Sequence, residues 1–267
     1  MKPRAVLGCI GSKAMNKKQL TMPALTIAED FYSIQGEGAS AGTPAVFLRL
    51  AGCNLQCAGF SYTDPATGEH LGCDSKSVWR RGRRVLLKEL LERWYQLGWL
   101  EALEQGAHLV ITGGEPLLQQ QRLLAFIDQL DQRVPNGVYI EMETNGTMLL
   151  EDRLCQRIDQ INVSPKLINS GEPRSKAVVP RVITQLARAP QAQFKFVVME
   201  EMDVTEVVNQ YVIPYSIPHQ RVWLMAEGGD RHTLQQRTPH VVEWCKRHYF
   251  NYSPRLQVDI WDEVTGV

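Results

Sequence analysis

The sequence predicts an α/β protein whose parallel strands form an open, partial barrel of the TIM type. From residue 43 onward, apolar strand-like segments alternate with amphipathic helix-like segments, and polar motifs follow the ends of several strands. Such alternation is typical of parallel strands joined by right-handed crossovers. Because the units are too few for a complete eight-stranded barrel, we expect the barrel to stay open.

The individual elements follow from hydrophobic periodicity and segment length. Helical spacing of apolar residues predicts helices at residues 85–97, 117–130 and 238–250. In the last of these, Thr238 would be the N-cap and Pro239 would occupy the first turn. Short apolar runs predict strands at residues 44–50, 108–112, 138–143, 158–163, 194–198, 221–225 and 256–261.

Composition limits the class of protein. The 267 residues suit one α/β domain or two small ones, and the 44% apolar content is enough for a sizeable core. Lys plus Arg and Asp plus Glu both number 29, which gives no general signal for nucleic acid or membranes. No apolar run approaches the ~18 residues that span a bilayer. We therefore expect a soluble cytoplasmic protein that binds neither nucleic acid nor membrane.

The N-terminal residues differ from the rest of the chain. Residues 1–18 contain five basic residues and no acidic one, and they lack the apolar stretch of a secretory signal. We expect residues 1–25 to be a loose tail, with Met22 as a candidate for the true start, and residues 26–267 to form the core domain. Cys9, within this tail, is assigned no role.

Three cysteines and a glycine turn carry the main chemical signal. Cys53, Cys57 and Cys73 precede the turn formed by residues 113–116, Gly-Gly-Glu-Pro. Thiolates are the usual protein ligands of iron–sulfur clusters, and a [4Fe–4S] cluster normally takes four. Three thiolates leave one iron free to bind a small molecule, which is the arrangement of radical S-adenosylmethionine (SAM) enzymes.

Other interpretations of the cysteines are weaker. Free cysteine is often a small buried core residue, as we expect for Cys155 and Cys245. Disulfides are disfavoured because the sequence shows no secretory signal. A zinc site would require a fourth cysteine or histidine at regular spacing. The glycine turn downstream of the triplet favours the cluster over all three.

Several strings then resemble the 7-carboxy-7-deazaguanine synthase family of radical SAM enzymes. The most specific is Ile-Gln-Gly-Glu-Gly at residues 34–38, and the resemblance extends from about residue 27 to the C-terminus. The similar strings are residues 31–38, 47–55, 73–75, 112–116, 143–147, 164–166, 195–198 and 254–256. The resemblance implies the partial TIM-like barrel of radical SAM proteins.

The resemblance also implies a reaction. The substrate would be 6-carboxy-5,6,7,8-tetrahydropterin, contracted to 7-carboxy-7-deazaguanine with loss of ammonia, in 7-deazapurine biosynthesis of the queuosine type. The cofactors would be a [4Fe–4S] cluster, SAM and Mg²⁺. A reduced cluster would cleave SAM to a radical that takes hydrogen from C6 of the substrate, and SAM would be regenerated. The partners implied are an electron donor such as a flavodoxin and a second copy of the chain in a homodimer.

Site residues follow position by position from this resemblance. Cys53, Cys57 and Cys73 would bind the cluster, and Ser75 would bind Mg²⁺. The substrate would contact Ile34, Gln35, Gly36, Arg49 and Thr112, with Arg49 on its carboxylate. SAM would contact Gly114, Ser164, Pro165, Lys166, Met225, Ala226, Glu227 and Gly228. Glu143 and Asn145 are expected near the same rim.

Four alternative residue assignments and one alternative function stay open at this point. Fifteen residues separate Cys57 from Cys73, so His70 could replace Cys57 as the second cluster ligand. Thiolate is nevertheless the expected ligand of iron. The segment between the two cysteines is predicted to be a looped-out excursion. Ser75 could be a plain helix cap, Asn145 a turn cap, and Arg49 could pair with Glu37. A radical SAM activase that installs a glycyl radical in a partner protein is the competing function.

Overall fold

The structure is a computed structural model that describes residues 23–262 and 264. Its strands are β1 (Ala24–Ile34), β2 (Pro44–Leu50), β3 (Tyr62–Thr63), β4 (His70–Gly72), β5 (Arg83–Leu86), β6 (His108–Gly113), β7 (Ile140–Thr144), β8 (Gln160–Val163), β9 (Ala192–Val198), β10 (Val222–Ala226) and β11 (Asn251–Ser253).

The α-helices of the described residues are α1 (Lys76–Trp79), α2 (Leu87–Gln96), α3 (Trp99–Glu104), α4 (Gln120–Asp131), α5 (Asp152–Cys155), α6 (Arg174–Ala177), α7 (Pro180–Arg188), α8 (Glu201–Val207), α9 (Ile213–Tyr215), α10 (Arg231–His248) and α11 (Leu256–Trp261). A π-helical turn, Val208–Val212, joins α8 to α9. Short 3-10 turns lie at Gly38–Ser40, Pro116–Gln119, Ile168–Ser170 and His219–Arg221.

The main sheet has nine strands in the order β11-β10-β9-β8-β7-β6-β2-β1-β5. The strands from β11 to β2 are parallel, whereas β1 is antiparallel to both β2 and β5. The two end strands, β11 and β5, do not pair with each other, so the sheet stays open. The predicted open barrel of mostly parallel strands is therefore confirmed.

The two faces of the sheet differ in polarity. Successive strand residues point to opposite faces, so β7 sends Met142 into the main apolar core and Glu141 to the other face. Glu141 is fully buried and accepts a hydrogen bond of 3.0 Å from Nδ2 of Asn162 on β8. Helices such as α2 and α4 cover the apolar face, where Trp94 packs edge-on against Phe126. Because these helices cover the apolar face, the polar face is available for a functional site.

Three predicted elements are corrected. Val85 and Leu86 belong to β5, where they pair with Leu25 and Ala24, so the predicted helix at 85–97 begins only at Leu87. The helix predicted from Thr238 begins at Arg231, because Asp230 is the N-cap and accepts from the backbone N of Thr233 at 2.8 Å. Residues 256–261 form helix α11 and not a strand.

The antiparallel strand β1 was not predicted. Ala24 and Leu25 are buried and paired with β5, so the ordered sheet begins before the boundary expected at residue 26. Residues 1–22 of the predicted tail, which include Cys9 and Met22, lie outside the described residues. No helix in the described part of the chain is long and apolar enough to cross a membrane.

Candidate active site

A cavity of about 330 Å³ lies over the C-terminal ends of the parallel strands. The loops after β2, β6, β7, β8 and β10 all contribute to its lining. Parallel strands bring their C-terminal ends to one edge of a sheet, which is where active sites of barrel enzymes gather. The predicted residues that line the cavity are Ile34, Gln35, Gly36, Arg49, Cys53, Cys57, Cys73, Ser75, Thr112, Gly114, Ser164, Lys166, Met225, Glu227 and Gly228.

Two predicted residues, Pro165 and Ala226, are not among the lining residues. On β10, Met225 lines the cavity while Ala226 packs into the apolar core on the opposite face. After β8, Ser164 and Lys166 line the cavity, whereas Pro165 between them is buried elsewhere. The assignment of Pro165 and Ala226 to the SAM-contacting segments stays a prediction, although neither residue is part of the cavity lining.

The three cysteines share this cavity and fit an iron–sulfur cluster. Burial raises the pKa of Cys53, and it raises that of Cys57 to about 12, so both thiols favour the protonated form until a metal replaces the proton. Within the described residues no three potential ligands converge on a single metal ion. A cubic cluster does not require such convergence, because each thiolate binds a different iron.

The loop of Cys57 is held by an acidic residue far along the sequence. Cys57 has a left-handed backbone with φ 47°, and its backbone N donates to Oε1 of Glu172 at 2.7 Å. The backbone N of Gln56 donates to the same oxygen. Because a non-glycine residue rarely adopts positive φ, these bonds stabilise a conformation that directs Cys57 into the cavity. No pattern in the sequence indicates this role for Glu172, which lies 115 residues after Cys57.

The segment between Cys57 and Cys73 folds back onto the site. It forms the hairpin β3–β4, and the backbone N of Gly59 donates to the carbonyl of Ser170 at 2.9 Å. Phe60 and Tyr62 line the cavity, so the prediction of a looped-out excursion is wrong. His70 is exposed outside the cavity lining, with Nε2 3.2 Å from the carbonyl oxygen of Ala58.

The glycine turn packs directly against the first cluster loop. A Cβ on Gly114 would lie 2.3 Å from the carbonyl oxygen of Gly52 and 2.6 Å from Cβ of Cys53, so only glycine fits. The buried carboxylate of Glu115 accepts from the backbone N atoms of Asn145 at 2.8 Å and Leu117 at 3.0 Å. Burial outweighs these bonds and raises the pKa of Glu115. The turn therefore fixes the loop after β2 against the loop after β7.

Asn145 both lines the cavity and caps a turn, which are the two roles that the sequence left open. Its Oδ1 accepts from the backbone N of Thr147 at 3.0 Å, which is a turn-capping bond. Its Nδ2 donates to Oδ1 of Asn54 at 2.9 Å and lies 3.9 Å from Sγ of Cys53. Asn145 thereby ties the β7 loop to the residues around the first cysteine.

Arg49 projects into the cavity with part of its guanidinium already fixed. Its Nε donates to Oε1 of Glu29 at 2.8 Å, and the guanidinium lies over the ring of Phe31, 6.0 Å from the ring centroid. Phe31 in turn stacks on Phe47 with ring centroids 4.8 Å apart. The alternative pairing of Arg49 with Glu37 is wrong, since Glu29 takes that place. The Nη atoms make no hydrogen bond among residues 23–262 and 264, which leaves them for a ligand.

The residues predicted for the substrate meet at Glu143. Oγ1 of Thr112 donates to Oε2 of Glu143 at 2.6 Å, and Nε2 of Gln35 donates to Oε1 at 3.4 Å. A carboxylate has about four lone-pair sites, so Glu143 can accept further hydrogen bonds. Glu143 is therefore an oriented hydrogen-bond acceptor for N–H donors of a ligand, whereas Arg49 is a hydrogen-bond donor.

A buried network of charged side chains lines another part of the cavity. Oε2 of Glu37 accepts from Nζ of Lys195, and Oε1 accepts from Nε2 of Gln257 at 2.7 Å and from Nε of Arg255 at 3.2 Å. Burial alone would raise the pKa of Glu37, but the two cations outweigh it and lower the pKa to about 2. Nη2 of Arg255 also donates to Oδ2 of Asp74 at 2.6 Å, next to Cys73.

Ser75 occupies the N-cap position of α1 without acting as a cap. Its hydroxyl makes no capping hydrogen bond to the helix and lies 3.4 Å from Sγ of Cys73. Since the side chain lines the cavity, its oxygen is available to a hard cation. The structure therefore does not support the plain helix cap.

The loops after β8 and β10 place a cation, Lys166, and an anion, Glu227, in the cavity lining. Nζ of Lys166 donates to Oγ of Ser164 at 2.9 Å. The carboxylate of Glu227 accepts from the backbone N of Ser61 at 2.8 Å and pairs with Arg237. The hairpin is thus connected to β10 through Glu227. Neither Ser61 nor Arg237 was singled out from the sequence.

Comparison with known proteins is consistent with this geometry. Residues 34–178, which include all three cysteines, match a family model described as a 4Fe-4S single cluster domain. A 7-carboxy-7-deazaguanine synthase from Pyrobaculum aerophilum is 34% identical over 248 residues, covering 91% of this chain and 98% of that protein. An enzyme of the same name from Halobacterium salinarum is 31% identical and covers 91% and 92%.

A solved structure shares the fold. The crystal structure of QueE from Escherichia coli aligns with a TM-score of 0.59 at 24% identity. The alignment covers 86% of this chain and 93% of the QueE chain. The fold of this chain is therefore also found in a solved structure.

The cysteine spacing generates a prediction about the second cluster ligand. Cys57→Ala should abolish the reconstituted [4Fe–4S] signal, because Cys57 lines the cavity and His70 does not. His70→Ala should retain iron content and visible absorbance at the level of the parent protein. Both are measured after anaerobic reconstitution, with Cys155→Ala as the control for loss of a cysteine outside the cavity. Loss of the cluster in His70→Ala with retention in Cys57→Ala would contradict the assignment.

Proposed function

This chain belongs to the 7-carboxy-7-deazaguanine synthase family, and on that premise we propose that it contracts 6-carboxy-5,6,7,8-tetrahydropterin to 7-carboxy-7-deazaguanine with loss of ammonia. One observation carries the proposal: the three cysteines, Arg49 and Glu143 all line the same cavity. A radical generated beside the cysteines would therefore arise within reach of a substrate held by these two side chains.

The SAM site is proposed between the cysteines and the loops after β6, β8 and β10. Cys53, Cys57 and Cys73 would hold a [4Fe–4S] cluster, which would supply the electron for cleavage of SAM to a 5′-deoxyadenosyl radical. Lys166 offers a cation to an anionic ligand group near Cys53 and Cys57. Glu227, fixed by Ser61 and Arg237, offers an acceptor at the hairpin side of the cavity.

The substrate site is proposed between Arg49 and Glu143. Nε of Arg49 is occupied by Glu29, so the Nη atoms can bind the substrate carboxylate in the planar, two-pronged geometry that arginine favours. The 2-amino-pyrimidine edge of a pterin presents N–H donors, which suit the Glu143 carboxylate oriented by Thr112 and Gln35. The stacked rings of Phe31 and Phe47 provide an apolar wall beside the guanidinium.

Mg²⁺ is proposed at Ser75. Magnesium binds few protein oxygens and completes its shell with water and substrate oxygens. The Ser75 hydroxyl is not consumed by helix capping and lies beside the cluster loop, next to Asp74. A cation there would compensate negative charge on the substrate as the ring rearranges.

The remaining partners follow from the same chemistry. A low-potential electron donor, such as a flavodoxin, would be needed to reduce the oxidised cluster before turnover can begin. We also propose that the enzyme is a homodimer and that it works in the cytoplasm. The competing activase function needs an opening for a protein segment, and the two separate polar groups of Arg49 and Glu143 in the cavity give no advantage to such a substrate.

The proposed reaction is tested with the anaerobically reconstituted protein, the carboxypterin, SAM, Mg²⁺ and dithionite. We expect 7-carboxy-7-deazaguanine by mass spectrometry. With deuterium at C6 of the substrate, the label should appear in recovered SAM, because SAM is regenerated after taking that hydrogen. SAM cleavage without any deazaguanine product would contradict the proposal and favour an activase.

The substrate role of Arg49 predicts a specific kinetic defect. Arg49→Ala should raise the Michaelis constant for the pterin, since losing a charge-assisted partner in a half-buried site costs ~2–5 kcal/mol. Arg49→Lys should recover only part of this, because lysine lacks the planar fork. Cluster content and substrate-independent SAM cleavage should stay near parent values. An unchanged Michaelis constant in Arg49→Ala would refute the assignment, and Arg157→Ala at a surface ion pair is the matched control.

The proposed metal role of Ser75 predicts a change in Mg²⁺ dependence. Ser75→Ala should lower turnover and weaken its stimulation by Mg²⁺, with normal iron content. Ser75→Thr should keep both, because the hydroxyl oxygen remains. A Mg²⁺ titration of turnover measures this. If Ser75→Ala responds to Mg²⁺ as the parent does, the hydroxyl is not a ligand.

A further inference from the structure

An exposed arginine patch adjoins the proposed cluster site. Arg80, Arg81, Arg83 and Arg84 lie within five consecutive residues, and all four are exposed. The chain as a whole has 29 basic and 29 acidic residues, so this concentration of positive charge is a local feature. The mechanism described above does not use any of these arginines.

The patch is separated from the cavity by a single short helix. Helix α1 leads from Cys73 and Ser75 to the arginines, and Val78 and Trp79 at its end line the cavity. The carbonyl of Trp79 accepts from the backbone N of Gly52 at 3.0 Å, one residue before Cys53.

The turn between the arginines also packs on the cluster loop. A Cβ on Gly82 would lie 2.4 Å from Cβ of Ala51, two residues before Cys53. The segment from residue 76 to residue 84 therefore faces the cluster site on one side and presents arginines to solvent on the other.

Internal ion pairing does not account for the patch. Arg80 pairs with Glu69 at 3.2 Å in an exposed contact, and such contacts contribute little to stability. The side chains of Arg81 and Arg83 form no hydrogen bond or ion pair with any residue that the structure describes. Their positive charge is thus available to an external partner.

Protection of a sheet edge accounts for only part of the patch. Arg83 and Arg84 lie on β5, which pairs only with β1 and forms one edge of the main sheet. Charged residues on such strands prevent pairing with other chains. Arg80 and Arg81 precede the strand, so edge protection gives no reason for their charge.

We propose that this arginine patch is the docking surface for an acidic one-electron carrier protein, a proposal that rests on the proposed function. The carrier, such as a flavodoxin in its hydroquinone state, would lose one electron and become the semiquinone. The oxidised cluster on Cys53, Cys57 and Cys73 would gain that electron. Opposite charges would steer the carrier to the side of the protein nearest the cluster and accelerate its association.

The test compares two charge-reversed holoenzymes with the parent. The patch variant is Arg81→Glu/Arg83→Glu, and the control is Arg181→Glu/Arg188→Glu, which reverses two exposed arginines on α7. Stopped-flow absorbance follows cluster reduction under anaerobic conditions with two reductants. One is an acidic flavodoxin hydroquinone, and the other is photoreduced 5-deazariboflavin, which is small and uncharged.

We expect the patch variant to lose about tenfold or more in the second-order rate constant with flavodoxin at low salt. Its dependence on ionic strength should also become weaker, while the deazariboflavin rate stays at the parent value. The control variant should behave as the parent with both reductants, and Arg81→Lys/Arg83→Lys should retain the flavodoxin rate.

Three outcomes would overturn the docking site. They are an unchanged flavodoxin rate and salt dependence in the patch variant, an equal loss with both reductants, and an equal loss in the control variant. Preserved flavodoxin rates together with weaker binding of transfer RNA would assign the patch to nucleic acid instead. Product formation with deazariboflavin tests the proposed reaction separately, so failure of the docking site and failure of the reaction can be told apart.

Discussion

The buried carboxylate of Glu37 connects parts of the molecule that the backbone leaves apart. Glu37 follows β1, and its partner Lys195 lies on β9, with four strands between them in the sheet. The sheet is open, so no ladder of backbone hydrogen bonds joins these strands directly. The Glu37–Lys195 pair therefore spans the interior of the partial barrel by side chains alone, at the level of the cavity.

Arg255 extends this network to the cluster loop and the C-terminal segment. It contacts Glu37 and Asp74, and it also donates to the carbonyl oxygen of Gly228 after β10. Removing one member of a buried ion pair typically costs 3–5 kcal/mol, because the remaining charge has no partner. Arg255, which is 181 positions away from Asp74 in the sequence, thus helps to hold Asp74 in place. The positions of the neighbouring Cys73 and Ser75 depend on the same contact.

The sequence predicted the site better than the details of the fold. Cys53, Arg49 and Thr112 line the strand-end cavity, and the signal for them was the resemblance of short strings at strand ends to a known family. Strand β1 was missed, because its pairing with β2 and β5 depends on distant segments and not on its own pattern. Glu172 could not be found either, since nothing in the sequence relates a carboxylate to a backbone 115 residues earlier.

The most direct test of this account is a crystal structure of the reconstituted protein with SAM and the carboxypterin, with iron located by anomalous scattering. We expect a cluster in the strand-end cavity bonded to Cys53, Cys57 and Cys73, with SAM on the remaining iron. We also expect the pterin carboxylate to lie on Arg49. A cluster bonded through His70 in place of Cys57, or a pterin bound outside this cavity, would contradict it.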